Sequence, residues 1–330
     1  MRTLIAALLA SIAIMLSFPV GAADPAPLVF EAKIPLGNVR GRIDHFAIDL
    51  GRQRLYVAEL GNDSVGVIDL KSGKVLNTLT GLREPQGVGY AASTDTLYVA
   101  NAGDGSVHLY EGDDLSPGGR IDLGGDADNI RVDSRRNRVL IGYGDGALAV
   151  IDPAQKKKVS DIPLKAHPEA FQLAEGGSKI FVNVPDAHQI AEVDPAAGKQ
   201  VLAISPDGAR SNFPMAIDDD QHRVLVVFRS PPRLSAYSSQ DGKPISSVET
   251  CGDADDVFVD AKRHRVYVSC GEGVVDVLAD RDSRYERVAR VPIVSGARTS
   301  LFVPELDRLY VAARSTFSEP AAIWVLRPTP

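Results

Sequence analysis

The sequence predicts an all-β fold: a seven-bladed β-propeller of four-stranded blades, with the ring closed by the N-terminal strand in the last blade. Three observations predict it. A short apolar strand led by a polar residue, Arg54-Leu55-Tyr56-Val57-Ala58, recurs with copies beginning at Thr96, Arg138, Lys179, Arg223, Arg265 and Arg308. Successive copies start 41–44 residues apart, the period of a blade built from short strands. The two chain ends also complement each other. Residues 28–36 read as a strand without a partner in their own repeat, and the last repeat has strand material at 300–303, 309–312 and 322–326 but no fourth strand. Putting the first strand in that place removes two exposed strand edges.

Taken in order, the chain opens with the positive start Met1-Arg2-Thr3, an almost wholly apolar run over 4–18 and the small residues Val20-Gly21-Ala22. This pattern predicts a cleaved secretory signal peptide over 1–22. The apolar run falls short of the ~20 residues that a membrane span needs. Residues 23–27 read as a linker, and 28–330 as a single propeller domain. Blade one has strands expected at 45–49, 54–59, 64–69 and 74–79. Blades two to six follow at 86–123, 128–164, 169–204, 213–248 and 255–291. Each strand alternates or is continuously apolar, with Gly, Asn or Asp at the breaks. Asp69, Asp152 and Asp194 each end a strand and open a turn, where a carboxylate accepts backbone N–H bonds.

The 330 residues carry a net charge of −7, and loss of the leader arginine makes the remainder more acidic still. No basic block offers an electrostatic footprint for nucleic acid. No later segment has the length to span a bilayer. The only cysteines are Cys251 and Cys270. In an exported protein a disulfide between them is the first reading, a redox-active or copper-binding pair the second, and two separate thiols the third.

Tyr56-Val57-Ala58 and Leu97-Tyr98-Val99-Ala100-Asn101 are each followed by a Gly/Asn turn and a Val-rich strand such as Val65-Gly66-Val67-Ile68-Asp69. These stretches resemble the YVTN repeat, and the chain after its leader is similar to the YncE-like family of exported bacterial seven-bladed propellers. The copy at Arg223 departs most, with Ser230-Pro231-Pro232 where a glycine turn is expected. The resemblance implies the fold and a periplasmic or secreted location. It implies no activity, because propellers host binding proteins and enzymes alike.

The repeat aligns a candidate site. Ten residues before each anchor stand Asp44, Gln86, Asp128, Glu169, Phe213, Asp255 and Arg298; one residue later come His45, Gly87, Asn129, Ala170, Pro214, Asp256 and Thr299. Inner strands surround the propeller axis, so these positions are expected at one mouth of the central channel. The candidate ligand-binding residues are Asp44, His45, Gln86, Asp128, Asn129, Glu169, Asp255, Asp256 and Arg298. Asp44, Asp128, Glu169 and Asp255 form a candidate oxygen set for a divalent cation such as Ca²⁺. Solvated acids lining a wet channel are the competing reading. His45 at the mouth is either a general base or a hydrogen-bonded structural histidine. No zinc-protease helix, Cys-x-x-Cys-His or nucleophile elbow occurs, and catalytic residues stay unassigned.

The expected function is a non-enzymatic module, monomeric, that binds a small ligand or an envelope protein. The alternative is a metal-dependent hydrolase, lactonase or lyase with its site at the acidic mouth. Propeller gluconolactonases and virginiamycin B lyase, which the chain resembles in fold only, place their sites at such a mouth. A third class, an electron-transfer partner of a haem or quinone enzyme, has no axial-ligand motif behind it.

Overall fold

A computed structural model describes residues 26–282 and 284–330. The signal peptide expected over 1–22, and most of the expected linker, lie outside the described residues.

The described residues form seven antiparallel four-stranded sheets, arranged as the blades of a propeller. Blade one runs Phe46–Asp49, Arg54–Glu59, Ser64–Asp69 and Lys74–Leu79, paired in sequence order from the axis outward. The next five blades repeat that order, ending with Ala254–Asp260, Arg265–Cys270, Val274–Arg281 and Arg284–Pro292 in blade six. The last sheet contains Ser300–Val303, Arg308–Ala313 and Ala322–Pro328, and its outer strand is Leu28–Pro35. That strand pairs antiparallel with the C-terminal one, from Leu28 opposite Pro328 to Pro35 opposite Ala322. Closure is reinforced outside the ladder. Arg308 pairs with Glu31, Lys33 Nζ lies 2.6 Å from Glu319, and Thr329 donates to the backbone oxygens of Pro27 and Ala26.

The apolar character of the recurring strand follows from where it sits. It is second from the axis, so both faces of its sheet are covered, and a strand buried on both faces reads as a continuous apolar run. Leu55 and Val57 pack toward blade seven, with Ile323 and Tyr310. Tyr56 and Ala58 pack the other way, against Leu97 and Val99 of blade two. The same alternation builds an apolar layer at each blade junction around the ring. Outer strands have lost this requirement: Lys74–Leu79 is exposed along most of its length.

The turns joining first to second strands lie on the face opposite the mouth. Three carry one device. Asp49 accepts from the backbone N–H of Arg52 at 3.1 Å, and the Arg52 guanidinium crosses to Asp95 of the next blade at 2.6 Å. Asp133 and Arg136 repeat it toward the Gly177 carbonyl, and Asp260 and Arg263 repeat it toward Asp307 at 2.7 Å. Asp69, Asp152 and Asp194 accept backbone N–H bonds in their turns as expected. No helix among the described residues is long and apolar enough to cross a membrane.

Candidate functional site

The opposite face holds the channel mouth, and there the strands begin irregularly. Adjacent residues of a strand point to opposite faces, which would keep Asp128 and Asn129 apart. A β-bulge solves this by setting two residues against one and re-aiming side chains. The register slips between Ala127 and Ile130, between Pro85 and Val88, between Asn212 and Met215, and between Ala254 and Asp256. In blade one, Asp44 N–H donates to the Ala58 carbonyl while the Ala58 N–H donates to the His45 carbonyl, so two residues again face one. Glu169 and Ala170 oppose Asn183 in the same way. Asp44 with His45, and Asp128 with Asn129, therefore line one cavity. Gly87 stands where blades two and three touch at this level. A Cβ there would lie 1.9 Å from the Asp128 backbone oxygen, so only glycine allows the approach.

The cavity measures about 230 Å³ and gathers eight of the nine predicted ligand-binding residues: Asp44, His45, Gln86, Asp128, Asn129, Glu169, Asp255 and Arg298. Asp256 is the correction. It does not line the cavity. It is partly buried in the channel wall, where its Oδ2 accepts the backbone N–H of Ser300 at 2.7 Å. Burial pushes its carboxyl well above the usual range.

Arg42, Asp126, His167 and Arg229 join the lining. The first three stand two residues before Asp44, Asp128 and Glu169; Asp253, two before Asp255, is outside the lining and pairs with Arg298. The offset alone does not select them, since Glu84, Ser211 and Gly296 stand two residues before Gln86, Phe213 and Arg298 and do not line the cavity; His167, just before the entrance of blade four, is the one of the three that the sequence itself places near this mouth. Arg229 comes from the irregular blade. The second strand there runs eight residues, Arg223–Ser230, against six in blade one, and the added length carries Arg229 to the mouth. The Ser-Pro-Pro departure was its signal.

Two arcs of different chemistry face each other across the cavity. On one, guanidinium groups and carboxylates are matched. Arg42 Nη2 lies 2.7 Å from Asp44 Oδ2 and 3.4 Å from Gln86 Oε1. Arg298 donates to both oxygens of Asp253, at 2.8 and 3.0 Å, and its Nε is 2.9 Å from Asp255. Arg229 pairs with Asp255, stands 3.3 Å from Asp253, and lies 4.2 Å above the Phe213 ring. The disulfide Cys251–Cys270 ties the segment leading to Asp253 onto the second strand of blade six.

On the other arc, from blades three and four, acids lack such partners. The nearest basic nitrogen to Asp128 Oδ1 is His45 Nε2 at 3.9 Å, which also stands 3.7 Å from Asp44. Burial pushes the Asp128 carboxyl up to about 7, with Asp44 and Glu169 adding to the rise against the opposing pull of His45. Glu169 also rises to about 7, through burial first and then the charge of Asp255. Burial raises Asp44 too, against the pull of His45 and Arg42. His167 donates from Nδ1 to the Gly144 carbonyl at 2.7 Å, which fixes its ring at the rim.

The four acids expected to hold a cation do not form a ligand set. Among the described residues no three His, Cys, Asp or Glu side chains are placed to share a metal ion. Asp44 and Asp255 are already engaged by arginines. A hard cation takes six to eight oxygens, waters included, and here no three of these side chains converge to begin such a shell.

The fold and this mouth define a seven-bladed β-propeller with a polar, non-repeating cavity on its axis. No protein-family model matches the chain, and no curated protein matches it in sequence. Solved structures match over nearly its whole length. A chain from a crystal structure of the mitotic checkpoint complex is 13% identical, with a TM-score of 0.75 over 97% of this chain and 99% of its own. A chain of hydrazine synthase from Kuenenia stuttgartiensis is 16% identical, with a TM-score of 0.73 over 93% and 98%. Likeness at such identities is a likeness of fold.

Proposed function

We propose that this protein is an exported propeller of the YncE-like, YVTN-repeat kind that binds a small polar ligand at its channel mouth without converting it. One observation carries the reading. The strand anchors repeat round the ring, yet the seven equivalent mouth positions hold Asp44, Gln86, Asp128, Glu169, Phe213, Asp255 and Arg298 around one cavity. Packing needs explain a repeated residue; they do not explain seven positions of which most differ. Ligand pockets are concave and use a few placed polar groups for specificity. The lining holds no serine, threonine, cysteine or tyrosine, which leaves carboxylates and histidines as its candidate nucleophiles. Export is supported by the leader pattern and by a disulfide, a bond that persists in oxidising compartments.

The test is a thermal-shift and calorimetric survey of the purified protein with small sugars, carboxylates and amines. Saturable binding that Arg298→Ala or Glu169→Gln weakens at least ten-fold, with no product formed, supports the reading. A flat survey sinks it. A second reading has its own observation: two carboxyls at about 7 suit acid–base catalysis, which is most efficient near the operating pH. Turnover of a lactone that both Asp128→Asn and Glu169→Gln abolish, without loss of fold, would put an enzyme in place of the binding module.

A further inference from the structure

We infer that the ligand of this mouth presents a protonated amine, seated on the blade-three and blade-four arc between Asp128, Asn129 and Glu169. The inference rests on the binding reading above and narrows it to a ligand class.

On the arginine arc, Asp44, Asp253 and Asp255 each meet a guanidinium, so that Asp44 Oδ2 and Asp255 Oδ2, which make no well-aligned hydrogen bond, still have a positive charge within 3 Å. On the facing arc the account does not close. Asn129 is 2% exposed and lines the cavity, and its Oδ1 has no hydrogen-bond donor among the described residues. Asp128 is 6% exposed, and its Oδ1 has none either; His45 at 3.9 Å is beyond hydrogen-bond reach. A buried acceptor left without a donor costs about 1–3 kcal/mol, so native proteins hold few of them. Here two belong to neighbouring residues that a bulge turns into the same cavity. These acceptors are left to a donor that enters the cavity, whether a ligand group or a water that the ligand displaces.

Their chemistry selects the donor. An ammonium group offers three N–H donors and a positive charge, matching two carboxyl groups and one amide oxygen. A hydroxyl supplies one donor and no charge. Above about pH 7, where Asp128 and Glu169 are ionised, a carboxylate or phosphate would set acceptors against acceptors. A metal ion needs an oxygen shell that these residues do not form. Ala170 and Phe213 supply the apolar wall, which suits a short hydrocarbon attached to the amine, and about 230 Å³ limits the ligand to a small molecule.

The experiment titrates the full chain with butylammonium, with 1-butanol as the uncharged isostere, butyrate as the anion and CaCl₂ as the inorganic cation, by calorimetry and melting temperature. Butylammonium is expected to bind at least ten-fold more tightly than 1-butanol or butyrate, and Asp128→Asn and Glu169→Gln are each expected to weaken it at least ten-fold. Asn129→Asp, which adds a charge in the same shape, is expected to tighten it and keeps the test open if Asp128→Asn does not fold. Equal binding of butylammonium and 1-butanol, tighter binding of Ca²⁺, or indifference to Glu169→Gln overturns the inference. If butyrate or a sugar binds at the mouth while butylammonium does not, the binding module stands and the amine falls. If nothing in either survey binds, both fall.

Discussion

The two faces of the propeller use the same residue types to opposite ends. On the far face an aspartate and an arginine recur at equivalent turn positions, as Asp49 with Arg52, Asp133 with Arg136 and Asp260 with Arg263, and every pair reaches across to the next blade. There the arginines hold acids down: Arg263 keeps the Asp307 carboxyl at about 2, and Arg52 keeps Asp95 below its ordinary range. At the mouth, burial wins and pushes Asp128 and Glu169 up to about 7. Where a charge pattern repeats with the blades it fastens them together. Where it breaks the repeat it makes a site.

The largest effect expected from breaking this contrast is on the far face. Arg263→Ala removes the partner of Asp260, which is 2% exposed and also accepts from Tyr267. Leaving one member of a buried ion pair unpartnered costs about 3–5 kcal/mol, to be read as a lower midpoint in urea, while ligand binding at the mouth stays as it was. Next is the disulfide, on the mouth side. Cys251→Ser with Cys270→Ser opens a loop whose ends are 19 residues apart and is expected to cost about 3 kcal/mol. Because the freed segment leads to Asp253 and Asp255, this variant should also weaken binding. Equal binding before and after would separate the staple from the site.

The pH dependence sharpens the contrast further, because the two faces should respond with opposite sign. Asp307 sits below its ordinary 3.8, so the unfolded chain takes up more protons there. Its contribution is present above about 4 and is lost as pH falls through about 2. Asp128 sits above 3.8, so the folded chain holds more protons between about 4 and 7, and stability drops as pH rises through that window. Asp307→Asn should flatten the acid limb of a melting-temperature profile. Asp128→Asn should flatten the neutral one and stabilise at pH 8 by about 1 kcal/mol or more. The smallest effect belongs to Asp113, which pairs with Arg52 and Arg54 while its side chain is 75% exposed. Asp113→Ala should change stability by less than about 0.5 kcal/mol, showing that the clasps act through their buried members.

The fold was legible because a strand covered on both faces must be apolar, and seven such strands set a period that survives every loop. Chain closure was legible as well, since residues 28–35 lacked a local partner. The site was legible in part. Counting back from the anchors found Asp44, Asp128 and Glu169, because blades share one register. It placed Asp256 in the cavity wrongly: the count cannot tell which residue of a bulged pair faces the cavity and which the channel wall. It missed Arg229 because the register itself changes in blade five. Partnership was beyond its reach, since whether a carboxyl meets a guanidinium depends on distances between blades, about 40 residues apart in sequence.

The pairing of residues 28–35 with 322–328 also sets an order of events in synthesis. Within the propeller, the first strand made belongs beside the last. A chain cut short before Ala322 leaves both ends of the array with raw edges, which other chains can extend. The ring therefore closes only after its last blade has been made, and until then residues 28–35 are an unpaired strand.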